Sequence, residues 1–556
     1  MASAPELIDR RSDLDAVRAL AMLLGIALHG ALAYVGGFWI VNDQQQAPLL
    51  GLIVAGVHGF RMPMFFLLSG FFSAMLWSRR GPAGLASHRA RRVLLPLVLS
   101  CVTILPIMHG VSRWAMSAQN ATAESASKEP PKNLWEAAAA GDLDAIRRFA
   151  ATMDKLDGPD PKLGVTALAW AAITDKPEAV ELLIELGADA NATNWDGNTP
   201  LHAACFLGRE SIARKLLDAG ANAELKGREG ARPADVMNRD EATTRSIATT
   251  LRIPFDFERI SAGRERIRAM LGEPSTPANE QQPPAAGPGE PRSADGSTWI
   301  SLLRSETLLA HLWFLWFLCF YNVGFVAVAS FCRFMGGVRV PAWLFGLPTS
   351  LVWVVPITMV AQYFMHDRGT SPGFGPDTSA GLIPAPHVLA YYGIFFGFGG
   401  LLYVARGQQA RVGRLWWVAL ASALVLLPLA LAFAYNPRQA SAWVANDAAR
   451  GILSNLLEVL YAWLATFGMI GLCERVLARP RAWVRYLAES SYWLYLTHLP
   501  LVIALQAALR GWEASAPVKF VVVVVVTTGV LLGVYHLAVR RTAVGRLLNG
   551  PGAPKA

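Results

Sequence analysis

The chain has 556 residues, 53% hydrophobic and only 16% charged, with 18 Trp and a positive mean hydropathy, which excludes an ordinary soluble protein with its roughly 25% of charged residues. The net charge of +9 is unevenly spread: residues 112–305 carry 23 Lys/Arg against 28 Asp/Glu, and the rest carry 27 against 13. The positive charges flank apolar runs and form no single polar face, which excludes a nucleic-acid partner. Cys101, Cys319, Cys332 and Cys473 lie in or beside apolar runs and Cys205 stands alone, so no disulfide framework is expected.

Ten segments are apolar over the roughly 20 residues that a ~30 Å hydrocarbon layer requires: 14–35, 50–77, 93–111, 308–332, 341–364, 386–405, 415–435, 451–474, 486–509 and 517–539. Residues 1–13 are polar and the run after them is long enough to span, so no cleavable leader is expected. Lys/Arg in the short connections number 20 on one side, Arg10 and Arg79 to Arg92 among them. The other side has six: Arg61, Arg368, Arg438, Arg450, Arg510 and Lys519. This asymmetry predicts cytoplasmic termini and places residues 112–305, after the third span, outside. The expected fold is all-α: a polytopic membrane helix bundle of about ten spans with an inserted soluble module.

In chain order, the first span opens Asp13-Leu-Asp-Ala-Val-Arg18 and ends Leu28-His29. Arg18 and His29 are 11 residues apart, about 20° beyond three turns, so they share a helix face roughly 16 Å apart. A charged or titratable group inside a span is costly and points to function by default; an Arg snorkelling to lipid phosphate and a His satisfied by a neighbour is the bland alternative. The second span carries His58-Gly-Phe-Arg61-Met-Pro63 and then Ser69-Gly-Phe71. Ser69 lacks the flanking glycines of a nucleophile elbow, so packing by small residues is the better reading. The next loop holds Arg89-Ala-Arg-Arg92, Glu458 is an acid well inside the eighth span, and the ninth reads Tyr495-Leu-Thr-His498.

The insert repeats at a fixed period. Gly164, Gly197 and Gly230 are each 33 residues apart, and the second copy reads Gly197-Asn-Thr-Pro-Leu-His202-Ala-Ala204. A 33-residue period with Thr-Pro-Leu-His-x-Ala resembles ankyrin, an α-solenoid. Leu134–Ala151 and Gly230–Thr250 read as degenerate capping units, and His202 as the repeat's own turn-bracing histidine. An amphipathic stretch (257–271) and a Pro-rich linker follow.

The membrane segments resemble the integral-membrane acyltransferase 3 family. The resemblance rests on Arg18-x10-His29, the Phe-rich Ser69-Gly-Phe71 segment, Arg89-Ala-Arg-Arg92, His311-Leu-Trp-Phe-Leu315 and Tyr495-Leu-Thr-His498, in the family's order over residues 10–111 and 305–540. The His58–Pro63 and His311–Leu315 stretches look most like the branch that succinylates periplasmic glucans. The ankyrin insert replaces what is a short loop in a compact member.

The resemblance implies a bacterial inner-membrane O-acyltransferase that moves a succinyl or acetyl group from cytoplasmic acyl-CoA to an extracytoplasmic glycan hydroxyl. It implies no tightly bound cofactor and no metal. Arg89 and Arg92 would hold the donor's phosphates, unless they only record the positive-inside bias. Arg18 would hold the diphosphate or stabilise charge, and His29 would take the hydroxyl's proton or carry the acyl group itself. His58, Arg61 and His311 cluster by topology at the outer mouth and would orient the acceptor or an acyl carboxylate. Glu458 either orients His29 or pairs with another helix, and for His498 structural and functional roles are both open. The ankyrin repeats would dock a protein partner or the acceptor. The domains read as 1–111 (first membrane part), 112–272 (ankyrin), 273–305 (linker), 306–545 (second membrane part) and 546–556 (cytoplasmic tail). Two rival readings are a non-catalytic membrane scaffold presenting the ankyrin module, and a transporter. The second lacks paired broken spans.

Overall fold

The computed structural model describes residues 12–36, 39–126, 130–273 except 154, 162–163, 228–229, 240, 252 and 254, and 309–549 except 338–339, 366–372, 406–411, 436, 445 and 478. The described residues are mostly helical and contain no strand. Contacts divide the chain into residues 1–119 with 293–556, and residues 120–292.

The first unit is built from α1 (Ser12–Ala31), α2 (Pro48–Arg89), α3 (Leu95–Val102), α4 (Ile104–Ala126) as far as residue 119, α5 (Trp313–Phe334), α6 (Thr349–Tyr363), α7 (Pro386–Val404), α8 (Trp416–Tyr435), α9 (Asp447–Val476), α10 (Ala482–Leu509) and α11 (Ala516–Val534). Among the described residues eight helical stretches are long and apolar enough to cross a membrane, and α6 is a shorter apolar helix. One stretch, Pro48–Val102, has 55 residues, well over twice what a bilayer needs. It breaks at Gly81, whose φ of 67° only glycine adopts freely. Arg89 Nη2 donates to Ser73 Oγ at 2.7 Å, whereas 16 residues of straight helix would hold them about 24 Å apart. The chain therefore doubles back at Gly81–Pro82. Against the ten spans expected, the described residues thus provide eight candidates.

The returning arm contains a π-turn, Ala90–Leu94, just before Pro96. Pro96 has no N–H to give the Arg92 carbonyl. The Tyr492 hydroxyl of α10 donates to that carbonyl instead, at 2.8 Å, the repair a freed backbone group needs where water is scarce. The core is tight and aromatic. A Cβ on Gly70 would fall on the Phe396 carbonyl, and one on Gly399 on the Leu67 carbonyl, so α2 and α7 cross backbone to backbone through small residues. Phe395 stacks on Trp463 with centroids 3.9 Å apart. Where α1 leads into α2, Asp43 meets Lys519 at 2.9 Å with both side chains 1% exposed. Lys519 is thus one half of a buried pair and not a free loop cation as the charge tally had it.

The second unit stacks helix pairs: Leu134–Ala140 with Leu143–Ala150, Ala167–Ile173 with Pro177–Glu185, and Pro200–Phe206 with Glu210–Asp218. Gly164, Gly197 and Gly230 have φ of 68°, 73° and 77°, which explains glycine at that point of the period. His202 Nδ1 accepts the Thr199 N–H at 3.1 Å and Nε2 donates to the Ala231 carbonyl of the next unit at 3.1 Å. In that unit Asp235 fills the same place, its carboxylate accepting the Arg232 N–H at 2.8 Å. The expected fading cap is completed by the helix Phe257–Leu271. Its Arg264, 4% exposed, donates to the Phe206 and Arg239 carbonyls and to Thr244 Oγ1.

Candidate functional site

Arg18, Met22, Gly25 and His29 lie on one face of α1 by helical spacing, and all four line a cavity of about 1110 Å³. One end of it is basic. Arg18 Nη2 donates to the Ala488 carbonyl at 2.5 Å and lies 3.6 Å from Asp15. Arg89 is not in a loop, as its spacing suggested, but in the returning arm of α2, where it reaches Ser73 and, at 3.4 Å, the Ser69 carbonyl. Arg92 donates to the Leu548 carbonyl at 2.8 Å. The π-turn sends these two arginines to different partners while both still face the cavity. Helix insertions of this kind recur at functional sites.

The other end gathers three histidines from three helical segments. His498 Nδ1 is 3.0 Å from the Leu494 carbonyl and 2.9 Å from that of Tyr495. A carbonyl only accepts, so Nδ1 carries the proton and Nε2 is left as acceptor. His498 Nε2 is 3.0 Å from His29 Nδ1, so His29 donates from Nδ1 and its Nε2 keeps a lone pair. That is the arrangement of a base held in one tautomer by an orienting partner.

His311 is positioned by a proline. Pro500 in α10 withholds an N–H from the Leu496 carbonyl, and His311 Nε2 donates to that carbonyl at 3.2 Å. Its Nδ1 then has no hydrogen-bond partner among the described residues, and its ring sits edge-on to His498 at 5.6 Å. A loop closes this end. Trp39 stacks on His29 at 5.9 Å and donates to Gln506 Oε1 at 2.8 Å, while Gln506 Nε2 donates to the His29 carbonyl at 2.9 Å. Gln119, the last residue of this unit before the insert, accepts the Asn42 N–H of the same loop at 3.1 Å.

Arg61 is not at a loop end as counted from the sequence. It lies 13 residues inside α2, half-buried, with its guanidinium over Gly25. His58 also lines the cavity, beside the loop around Gly375. Glu458 does not orient His29. Its carboxylate accepts from Gln362 Nε2 at 3.0 Å, the Gly375 N–H at 3.1 Å and Ser454 Oγ at 3.2 Å, which fastens that loop to α9. The group that orients His29 is His498. Trp39, Gln506 and Tyr492 were missed from the sequence; only the one-turn spacing of Tyr495 and His498 hinted that α10 presents a polar face. Among the described residues no set of His, Cys, Asp and Glu is placed to hold a metal ion. Anion-binding capacity resides in Arg18, Arg89, Arg92 and Arg61.

Comparison with known proteins assigns both units. Residues 11–137 and 287–536 match the acyltransferase domain family, and residues 134–226 match ankyrin repeats in three copies. Glucans biosynthesis protein C of Escherichia coli is 36% identical over 104 residues, 19% of this chain and 26% of that protein. The inactive serine/threonine-protein kinase TEX14 of Bos taurus is 45% identical over 71 residues, 13% of this chain and 5% of that protein. The chain thus spans about a quarter or less of the length of these relatives. A crystal structure of the ankyrin repeat domain of Bcl-3 aligns at 26% identity over 21% of this chain and 50% of that one, with a TM-score of 0.18.

Proposed function

Since this chain belongs to the acyltransferase 3 family, we propose that its membrane body transfers an acyl group from cytoplasmic acyl-CoA to a hydroxyl of a glycan outside, in a bacterial inner membrane. The observation that carries this reading is the single cavity joining a three-arginine end to a histidine end. Arg18, Arg89 and Arg92 offer forks that suit the donor's phosphates. The thioester then reaches along the α1 face toward His29. The acceptor hydroxyl gives its proton to His29 Nε2 as its oxygen bonds to the thioester carbon. The C–S bond breaks, and the departing sulfur takes the proton back, leaving an ester and free CoA. His498 holds the imidazole in the tautomer this requires and supports the imidazolium between the two steps.

The basic loops support a cytoplasmic arginine end and cytoplasmic termini. The bonds joining Gln119 to the histidine-end loop then favour an ankyrin unit outside, docking a protein partner or the acceptor. The acyl group is succinyl or acetyl. The test is mass spectrometry of envelope glycans from cells with the intact protein and with His29→Ala. The variant is expected to lose an ester-sized mass, with transfer down by about 10²–10⁴-fold. Unchanged glycan esters at equal expression would remove His29 from the chemistry and favour the scaffold reading.

A further inference from the structure

Among the described residues Arg61 is a cation without a counter-charge. No carboxylate pairs with it among the described residues, its Nε makes no hydrogen bond, and it faces the cavity. Its guanidinium lies where a Cβ on residue 25 would stand, so a side chain there would displace it. Holding a bare guanidinium at membrane depth is costly, and such groups are normally answered by an anion. Gly25 and His29 are one turn apart on α1, about 6 Å. An anion on Arg61 would therefore lie beside the imidazole that takes the hydroxyl's proton.

Resting on the transferase reading above, we infer that Arg61 is the anion receptor of the reacting centre and binds a negatively charged oxygen of the acyl donor next to His29. Two donor oxygens have this chemistry. One is the carbonyl oxygen: as the hydroxyl oxygen bonds to the thioester carbon, the C=O electron pair moves onto oxygen and the proton moves to His29. When the pair returns, the C–S bond breaks and the sulfur leaves with that proton. The other is a carboxylate at the far end of a dicarboxylic acyl chain. A guanidinium meets either charge without giving up a proton of its own.

The test uses the purified full-length chain with a glycan the wild type esterifies, and acetyl-CoA or succinyl-CoA as donor. Arg61→Gln is expected to lower kcat/KM by about 10²–10³-fold, as a fall in kcat at nearly unchanged donor KM if the carbonyl oxygen is bound and as a rise in KM for succinyl-CoA if the carboxylate is, and Arg61→Lys to restore part of the loss. Gly25→Ala keeps the guanidinium but pushes it aside, so it should move kcat/KM the same way. It decides the matter if Arg61→Gln fails to elute as a folded species. Loss with both donors identifies the carbonyl oxygen, and loss with succinyl-CoA alone identifies the carboxylate. Full turnover of folded Arg61→Gln or Gly25→Ala with both donors overturns the anion site and leaves the transferase reading standing. A wild type inactive with every acyl-CoA overturns both.

Discussion

Arg264 in the ankyrin unit and Arg61 in the membrane unit are both withdrawn from bulk water with no carboxylate at ion-pair distance among the described residues, yet they are treated in opposite ways. Arg264 spends its donors on two carbonyls and a hydroxyl, and burial lowers its pKa to about 10. Arg61 keeps an unbonded Nε over a cavity. The histidines divide the same way. His202 closes both ring nitrogens between repeats, whereas His311 leaves Nδ1 open. Closed polar groups hold an architecture together; open ones at membrane depth are kept for something that arrives.

That contrast breaks most visibly at Arg264. Arg264→Met leaves the Phe206 and Arg239 carbonyls unanswered and should cost the ankyrin unit about 3 kcal/mol. Hydrogen exchange on the full chain would read this as lost protection over residues 200–273, with α10 unaffected. Unaltered protection would mean that the cap stands without its arginine. Pro500→Ala sharpens the membrane side. The new N–H at position 500 competes for the Leu496 carbonyl, releases His311 and should lower turnover by up to about 10-fold, the worth of one hydrogen bond. Wild-type turnover there would make the His311 anchor dispensable.

The smallest expected effect is a pH dependence at His202. Burial lowers its pKa below the ordinary imidazole range, opposed by the Ala231 carbonyl and Asp235. Below about pH 6.5 the unfolded chain binds a proton that the folded repeat resists. Stability of this repeat should therefore fall from pH 7 towards pH 5 and stay flat above 7. Exchange at the Ala231 turn measures it, and a flat profile would show the ring to be protonated without loss.

Much of the architecture was legible because it is periodic. Spans announce themselves by length, the 33-residue period by its glycines, and Arg18 and His29 share a face by arithmetic alone. What escaped was set by tertiary contact. Spacing gives no sign that Gly81–Pro82 returns Arg89 to Ser73, that Trp39 lies on His29, or that Lys519 is buried against Asp43. Arg61 was placed at a loop end because a charge tally assumes that arginines avoid apolar helices. Glu458 was weighed as a partner for His29 because both are ionisable and within spans, but only the folded arrangement decides which helix each one meets.

The prolines of α3 and α10 bear on how the sequence tolerates change. By helix propensity alone, replacing Pro96 or Pro500 with alanine is an improvement of about 3 kcal/mol in a helix interior. Here each missing N–H is what lets a helix offer its own backbone as a ligand, Arg92 to Tyr492 and Leu496 to His311. Substitutions that make these helices better helices should make the protein a worse catalyst. A library screened for expression alone would enrich such changes, and one screened for ester formation would purge them.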